Sequence, residues 1–220
     1  MILDRPEIIN EEFHAESVEP AMLDILLAEA WRHFGKHFFR YNFGIYEGEI
    51  RRVIPLRIRA NDLELSKSQR RVLRRNADLQ VETGPIKITA ETHDLFELHK
   101  HRFKTGVPDS LYDFLSRDAA NVPTTGFEIS VRRDDRLLAA SFFETGNTSI
   151  SSIYAIFDPT ETTRSLGIFT MLKELEFARI NHKPFYYHGY AYDGKSYYDY
   201  KKRFKAVEAF DWNGNWSPLL

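Results

Sequence analysis

Cysteine is absent from all 220 residues. That excludes disulfides, thiolate metal sites, iron–sulfur clusters and cysteine nucleophiles. No apolar run approaches the eighteen residues of a membrane span, and no basic-then-apolar leader pattern opens the chain. A cytoplasmic protein is the expectation. Net charge is nearly absent too, at -2. The overall field therefore draws in no polyanion, and any nucleic-acid contact must use a local patch. With 43% hydrophobic and 28% charged residues, the chain can bury a core and stay in water. Metal binding has little to draw on: the pairs His33/His37 and His99/His101 lack an acidic ligand pattern. No Ser–His–Asp pattern stands out.

Charge is present locally. Ser66 to Asn76 holds five cations and no acid. Ser66 followed by Gln69 predicts a capping box. At helical spacing Arg70 and Arg74 share one face, and Arg71 and Arg75 the next. Such a face suits phosphates or carboxylates. The first thirty residues carry eight acids against Arg5 alone. A solvated arm is the plainer reading; a mask over the basic helix is the sharper one.

Periodicity supplies the rest. Residues 20–34 read as an amphipathic helix, and an aromatic run follows from Phe38 to Tyr46. Residues 53–59 read as a strand, and 79–89 as an extended stretch broken at Gly84-Pro85. Two short helices are expected around Leu95–Phe103 and Leu111–Leu115. Strands are expected at 127–132, 137–145 and 149–157, a long helix at 164–181, and a strand at 185–190. A helix at 197–204 and a strand at 207–212 close the pattern. This order predicts an α/β (α+β) domain of GNAT-like acyltransferase layout, a mixed sheet flanked by helices. Residues 1–91 are expected as an arm, helix, strand and basic helix packed on a transferase core at 92–220. Such folds grip a phosphate-bearing donor where a loop enters a helix. Arg164-Ser165-Leu166-Gly167 falls at that point.

An ordered set of segments carries a resemblance. Ala30-Trp31-Arg32-His33-Phe34-Gly35 precedes Phe38-Phe39-Arg40 and Ile54-Pro55-Leu56-Arg57. Ser66-Lys67-Ser68-Gln69-Arg70-Arg71 and Arg74-Arg75-Asn76-Ala77-Asp78-Leu79 come next. Tyr154, Asp158-Pro159, Arg164-Ser165-Leu166-Gly167, Tyr187-His188-Gly189-Tyr190 and Tyr200-Lys201 with Phe204 and Glu208 complete it. Over residues 20–212 the chain resembles the arginyl-tRNA–protein transferases and their bacterial leucyl-transferring relatives. It departs from them in lacking the family's cysteines, in His188 where relatives have an apolar residue, and in Ala206 where a proline is common.

The resemblance implies an aminoacyltransferase that moves arginine or leucine from charged tRNA to proteins beginning with Asp or Glu. Charged tRNA is then a co-substrate, and neither a cofactor nor a metal is expected. It implies donor or tRNA contacts at Ser68, Gln69, Arg70, Arg71, Arg74, Arg75, Tyr154, Arg164, Ser165, Gly167, Tyr187 and Tyr190. Arg57 and Lys201 are the acceptor-binding candidates, and His188 and Lys201 the catalytic ones. Two other functions fit the same layout: an acyltransferase using CoA, and a silent relative that binds tRNA or peptide without turnover.

Overall fold

The computed structural model describes residues 7–103 and 106–219; Asp4 and Arg5 of the acidic arm lie outside them. A small antiparallel sheet comes first, from β1 (Asn10–His14), β2 (Arg32–Phe34) and β3 (His37–Tyr41), in the order β1-β3-β2. Helix α1 (Pro20–Ala28) stands between β1 and β2. It stops six residues short of the expected Phe34. Ala30 turns left-handed at φ 67°, and the Trp31 N–H bonds back to the Leu26 carbonyl at 2.9 Å, closing the helix end. That turn frees Arg32 and His33 to run as a strand.

The acids of the arm meet this sheet rather than the basic helix. Glu11 pairs with Arg40, Glu12 with His37 and Glu16 with Lys36. The mask reading is therefore set aside.

The main sheet has nine strands. β4 (Phe43–Tyr46) pairs with β5 (Glu49–Arg59). β6 (Gln80–Pro85), β7 (Gly126–Arg133), β8 (Arg136–Thr145) and β9 (Ser149–Phe157) form a meander. β10 (Phe185–Tyr192), β11 (Val207–Phe210) and β12 (Trp216–Pro218) complete it, in the order β12-β11-β5-β10-β9-β8-β7-β6. Among the described residues only β9 and β10 run parallel, joined by the crossover helix α4 (Leu166–Ile180). The first half of the chain thus supplies β5 to the interior of the sheet, between β10 and β11.

Both faces are covered. Helix α2 (Lys67–Arg75) packs with α4 around Val72, Phe169, Leu172 and Leu175. Helix α3 (Ala90–Lys100) covers the other face through Leu95 and Phe96, and α1 adds Leu23 and Leu27 there. Residues 137–144 of β8 are consequently all buried, a run rather than an alternation. The helix expected at 197–204 forms as a 3-10 helix over Tyr197–Arg203.

Candidate active site

β9 and β10 stay paired for three residues, Ser149–Ser151 against Phe185–Tyr187, and then part. Arg32 fills the fork. Its Nη1 donates to Ser151 Oγ at 2.8 Å and to the Tyr187 carbonyl at 3.3 Å, while Nη2 donates to the Ser152 carbonyl. One guanidinium thus satisfies carbonyls of both strands where their ladder ends. His33 beside it pairs with buried Glu144 at 2.5 Å. Burial opposes that charge, but His33 and Thr124 hold the Glu144 carboxyl below its ordinary range.

Beyond the fork lies a cleft of about 660 Å³. One end is aromatic, with Phe34, Phe39, Tyr41 and Tyr190. The middle holds Ser152, Tyr154, His188 and Lys201. The far end runs past His99 and Arg102 to the start of α4. Its only carboxylates among the described residues, Asp158 and Glu161, are already engaged: Asp158 with Arg136, and Glu161 with Arg133 and Arg164.

Lys201 reaches the cleft because β10 bulges between Tyr187 and Gly189. Gly189 sits at φ 96°, and a Cβ there would come within 2.9 Å of Lys201 Nζ. Glycine thus allows both the backbone and the close approach. Lys201 Nζ donates to the Tyr190 carbonyl at 3.2 Å and meets no carboxylate among the described residues. Burial, and then Arg32, lower its pKa to about 7. His188 is 3% exposed. Its Nε2–H donates to the Lys201 carbonyl at 3.1 Å, and its Nδ1 is buried without a partner. Burial and neighbouring Lys201 lower its pKa to about 3, so the ring is neutral at physiological pH.

Glu174 of α4 lies behind the fork, where burial raises its pKa to about 7. It accepts from the Tyr186 hydroxyl at 2.6 Å and the Ser152 hydroxyl at 3.4 Å.

The sequence candidates divide. Tyr154, Ser165, Gly167, His188, Tyr190 and Lys201 line the cleft. Tyr187 does not: α1 covers it through Leu23 and Leu27, and its ring packs edge-on to Trp216. Arg57 lies beside it, bonded to Glu208 at 2.7 Å and stacked on Phe185 and Trp216. Both belong to a covered face and not to the cleft.

Arg164 is also turned away. It forms a two-pronged pair with Asp78 at 2.9 and 2.8 Å and fastens the α4 approach to α2. The left-handed Ser165 that follows, at φ 55°, aims the chain back toward the cleft. Gly167 is packed against the Phe157 ring, which a Cβ would meet at 3.1 Å.

The α2 capping box forms as its sequence predicts, with Gln69 buried in it and Ser68 exposed beside Ser66. Arg70, Arg71, Arg74 and Arg75 are exposed, and among the described residues none meets a carboxylate. Arg75 bonds the Thr163 carbonyl, and Asn76 bonds the Arg164 carbonyl at 2.9 Å. The basic helix therefore adjoins the loop that forms one end of the cleft.

Sequence reasoning missed Arg32 and Arg102 as site residues. Arg32 lies in the Ala30–Gly35 segment, but nothing in its neighbours signals a strand fork 119 residues away. No group of three potential metal ligands is found among the described residues.

A parallel pair forced apart over a cleft, with a helix starting at its mouth, defines the GNAT-like class of acyl-group transferases. Two solved structures share the fold. FemX superposes with a TM-score of 0.51 at 11% identity, over 88% of this chain and 67% of that one. The structure of L-PGS from Bacillus licheniformis gives 0.51 at 8%, over 73% and 60%. Residues 91–211 match the family described as arginine-tRNA-protein transferase, C terminus. The aspartate/glutamate leucyltransferase of Parvibaculum lavamentivorans is 32% identical over 73% of this chain and 68% of its own length. That of Marinobacter nauticus is 27% identical over 92% and 84%. The chain belongs to the arginine-tRNA-protein transferase family and is an aminoacyltransferase.

Proposed function

We propose that the protein carries a leucyl group from charged tRNA to the α-amine of proteins that begin with Asp or Glu. The observation that carries this reading is the position of Lys201. It stands at the floor of the fork without a carboxylate partner among the described residues, in a cleft whose mouth adjoins the arginines of α2, which likewise meet no described carboxylate.

The donor ester is already activated, so placement and proton transfer suffice. The amine nitrogen attacks the ester carbonyl carbon. The tetrahedral intermediate collapses to an amide and expels the terminal ribose oxygen. Lys201, poised near 7, takes the proton from the attacking amine and returns it to that oxygen, so none is gained or lost overall. Arg32 holds the fork open, and His188 holds the Lys201 backbone. Arg70, Arg71, Arg74 and Arg75 meet tRNA phosphates, while Ser165 and Gly167 flank the aminoacyl end.

The aromatic end of the cleft suits an apolar donor side chain. The two lining carboxylates are engaged elsewhere, which favours leucine over arginine. In this reading residues 92–220 carry most of the transfer core, and the preceding segment adds the interior strand β5, the fork's Arg32 and the tRNA-facing helix. No described helix is long and apolar enough to cross a membrane, and a cytoplasmic site fits the supply of charged tRNA. An acyl-CoA donor would use the same fork but leave α2 without a ligand.

The test is a matrix of radiolabelled leucyl-, arginyl- and phenylalanyl-tRNA against peptides differing only in their first residue. Leucyl transfer to Asp and Glu peptides is expected. Failure of all three tRNAs, with acylation from CoA instead, overturns the reading.

A further inference from the structure

We propose that Arg102, with the Tyr154 hydroxyl, forms the subsite that binds the side-chain carboxylate of the acceptor's first residue. This rests on the transfer reading above, which supplies the acidic acceptor.

Among the described residues three cations line the cleft. Arg32 is spent on backbone carbonyls of the fork, and Lys201 lies at its floor on the Tyr190 carbonyl. Arg102 is the remaining one. Its guanidinium has neither a hydrogen bond nor a carboxylate among the described residues, and its side chain is exposed at the cleft. Aromatic rings hold it instead. Its guanidinium carbon lies 4.6 Å from the Phe157 ring centre, 5.5 Å from Tyr197 and 5.7 Å from Phe103. Rings fix a cation without neutralising it. The fork of donors stays available for a planar carboxylate.

Tyr154 supplies the second donor. Its ring stacks on Phe114 at 3.8 Å and 10°, which fixes its direction. Its hydroxyl is buried without a hydrogen-bond partner. A buried O–H left unpaired is costly and calls for an acceptor. Tyr154 and Arg102 both line the cleft, and a carboxylate reaching between them satisfies the orphan hydroxyl and the guanidinium together. The long arginine stem can follow the one-methylene difference between Asp and Glu.

A phosphate of the tRNA end offers the same oxyanion chemistry. The α2 arginines, which meet no carboxylate among the described residues, already provide for phosphate on the outer surface, so Arg102 is left for the acceptor.

Equilibrium binding of peptides tests the assignment without requiring turnover. Wild type should bind Asp- and Glu-initiated peptides roughly tenfold more tightly than their Asn and Gln counterparts, and Arg102→Gln should abolish that ratio. Arg102→Lys should keep part of it, Tyr154→Phe should reduce it, leucyl-tRNA affinity should not change, and no variant should melt at a lower temperature, Tyr154→Phe having shed an unpaired buried hydroxyl. An unchanged acid-to-amide ratio in Arg102→Gln overturns the subsite. So does a loss of tRNA affinity with the ratio intact, which would assign Arg102 to phosphate. A wild type that prefers acidic peptides through Arg102 yet transfers nothing supports the subsite and refutes the transfer reading alone.

Discussion

Acid should loosen this protein through His99, and the size of the effect follows from its surroundings. His99 ends α3, is 1% exposed, and accepts a hydrogen bond on Nδ1 from the Phe157 N–H at 3.0 Å. Burial lowers its pKa to about 4 from 6.5. A histidine depressed in this way takes its proton in the unfolded chain first. Its stabilising effect is complete above about pH 6.5, declines as pH falls, and is gone below about pH 4. The full difference is about 3 kcal/mol at 1.36 kcal/mol per pH unit. Between pH 7.5 and 5.0 the share lost is about 2 kcal/mol. Wild type also contains His188 and Lys201, which act in the same direction, and Glu174, which opposes them because its pKa is raised. A variant isolates the His99 share. His99→Gln keeps an acceptor for the Phe157 N–H and cannot be protonated. In urea unfolding the wild type should lose about 2 kcal/mol more than His99→Gln on going from pH 7.5 to 5.0. Equal losses in the two proteins would refute the reasoning.

Three further outcomes are expected. Replacing Arg70 and Arg71 together with Ala should weaken charged-tRNA binding by at least about tenfold while moving stability by under about 0.5 kcal/mol; unfolding in place of a binding defect would show that these arginines pin the helix. Arg164→Ala should loosen the α2–α4 junction and lower the melting temperature, since Arg164 is committed to Asp78 and Glu161; a loss of donor affinity at unchanged melting temperature would return Arg164 to the cleft. Gly167→Val should cost roughly 1–3 kcal/mol by overpacking against Phe157, and an unchanged urea midpoint would contradict the packing.

The meander, the crossover helix and the basic helix were legible because their signals are local. Alternation, long apolar runs and a capping box mark residues 127–180 and 66–76 within a few positions. The β1–β3 sheet was not legible. Its aromatic run carries no clean period, and the left-handed Ala30 that ends α1 leaves no mark in a residue type that normally favours helix. Tyr187 and Tyr190 look alike in sequence and lie on one strand. Only tertiary packing tells that α1 reaches the first and stops short of the second. Arg57 and Arg164 were drawn toward substrate by their charge, yet Glu208 and Asp78, distant in sequence, had already claimed them. Arg32 and Arg102 show the converse. Each matters because of what lies opposite it, and a strand fork or an aromatic cradle has no local spelling.

Transfer chemistry is assigned to Lys201 at the parted strands. Single-turnover transfer of leucine from pre-bound leucyl-tRNA to an Asp-initiated peptide, comparing wild type with Lys201→Met, tests it most directly. The transfer rate should fall by roughly a hundredfold or more with tRNA affinity unchanged. Transfer by Lys201→Met at the wild-type rate would contradict the assignment.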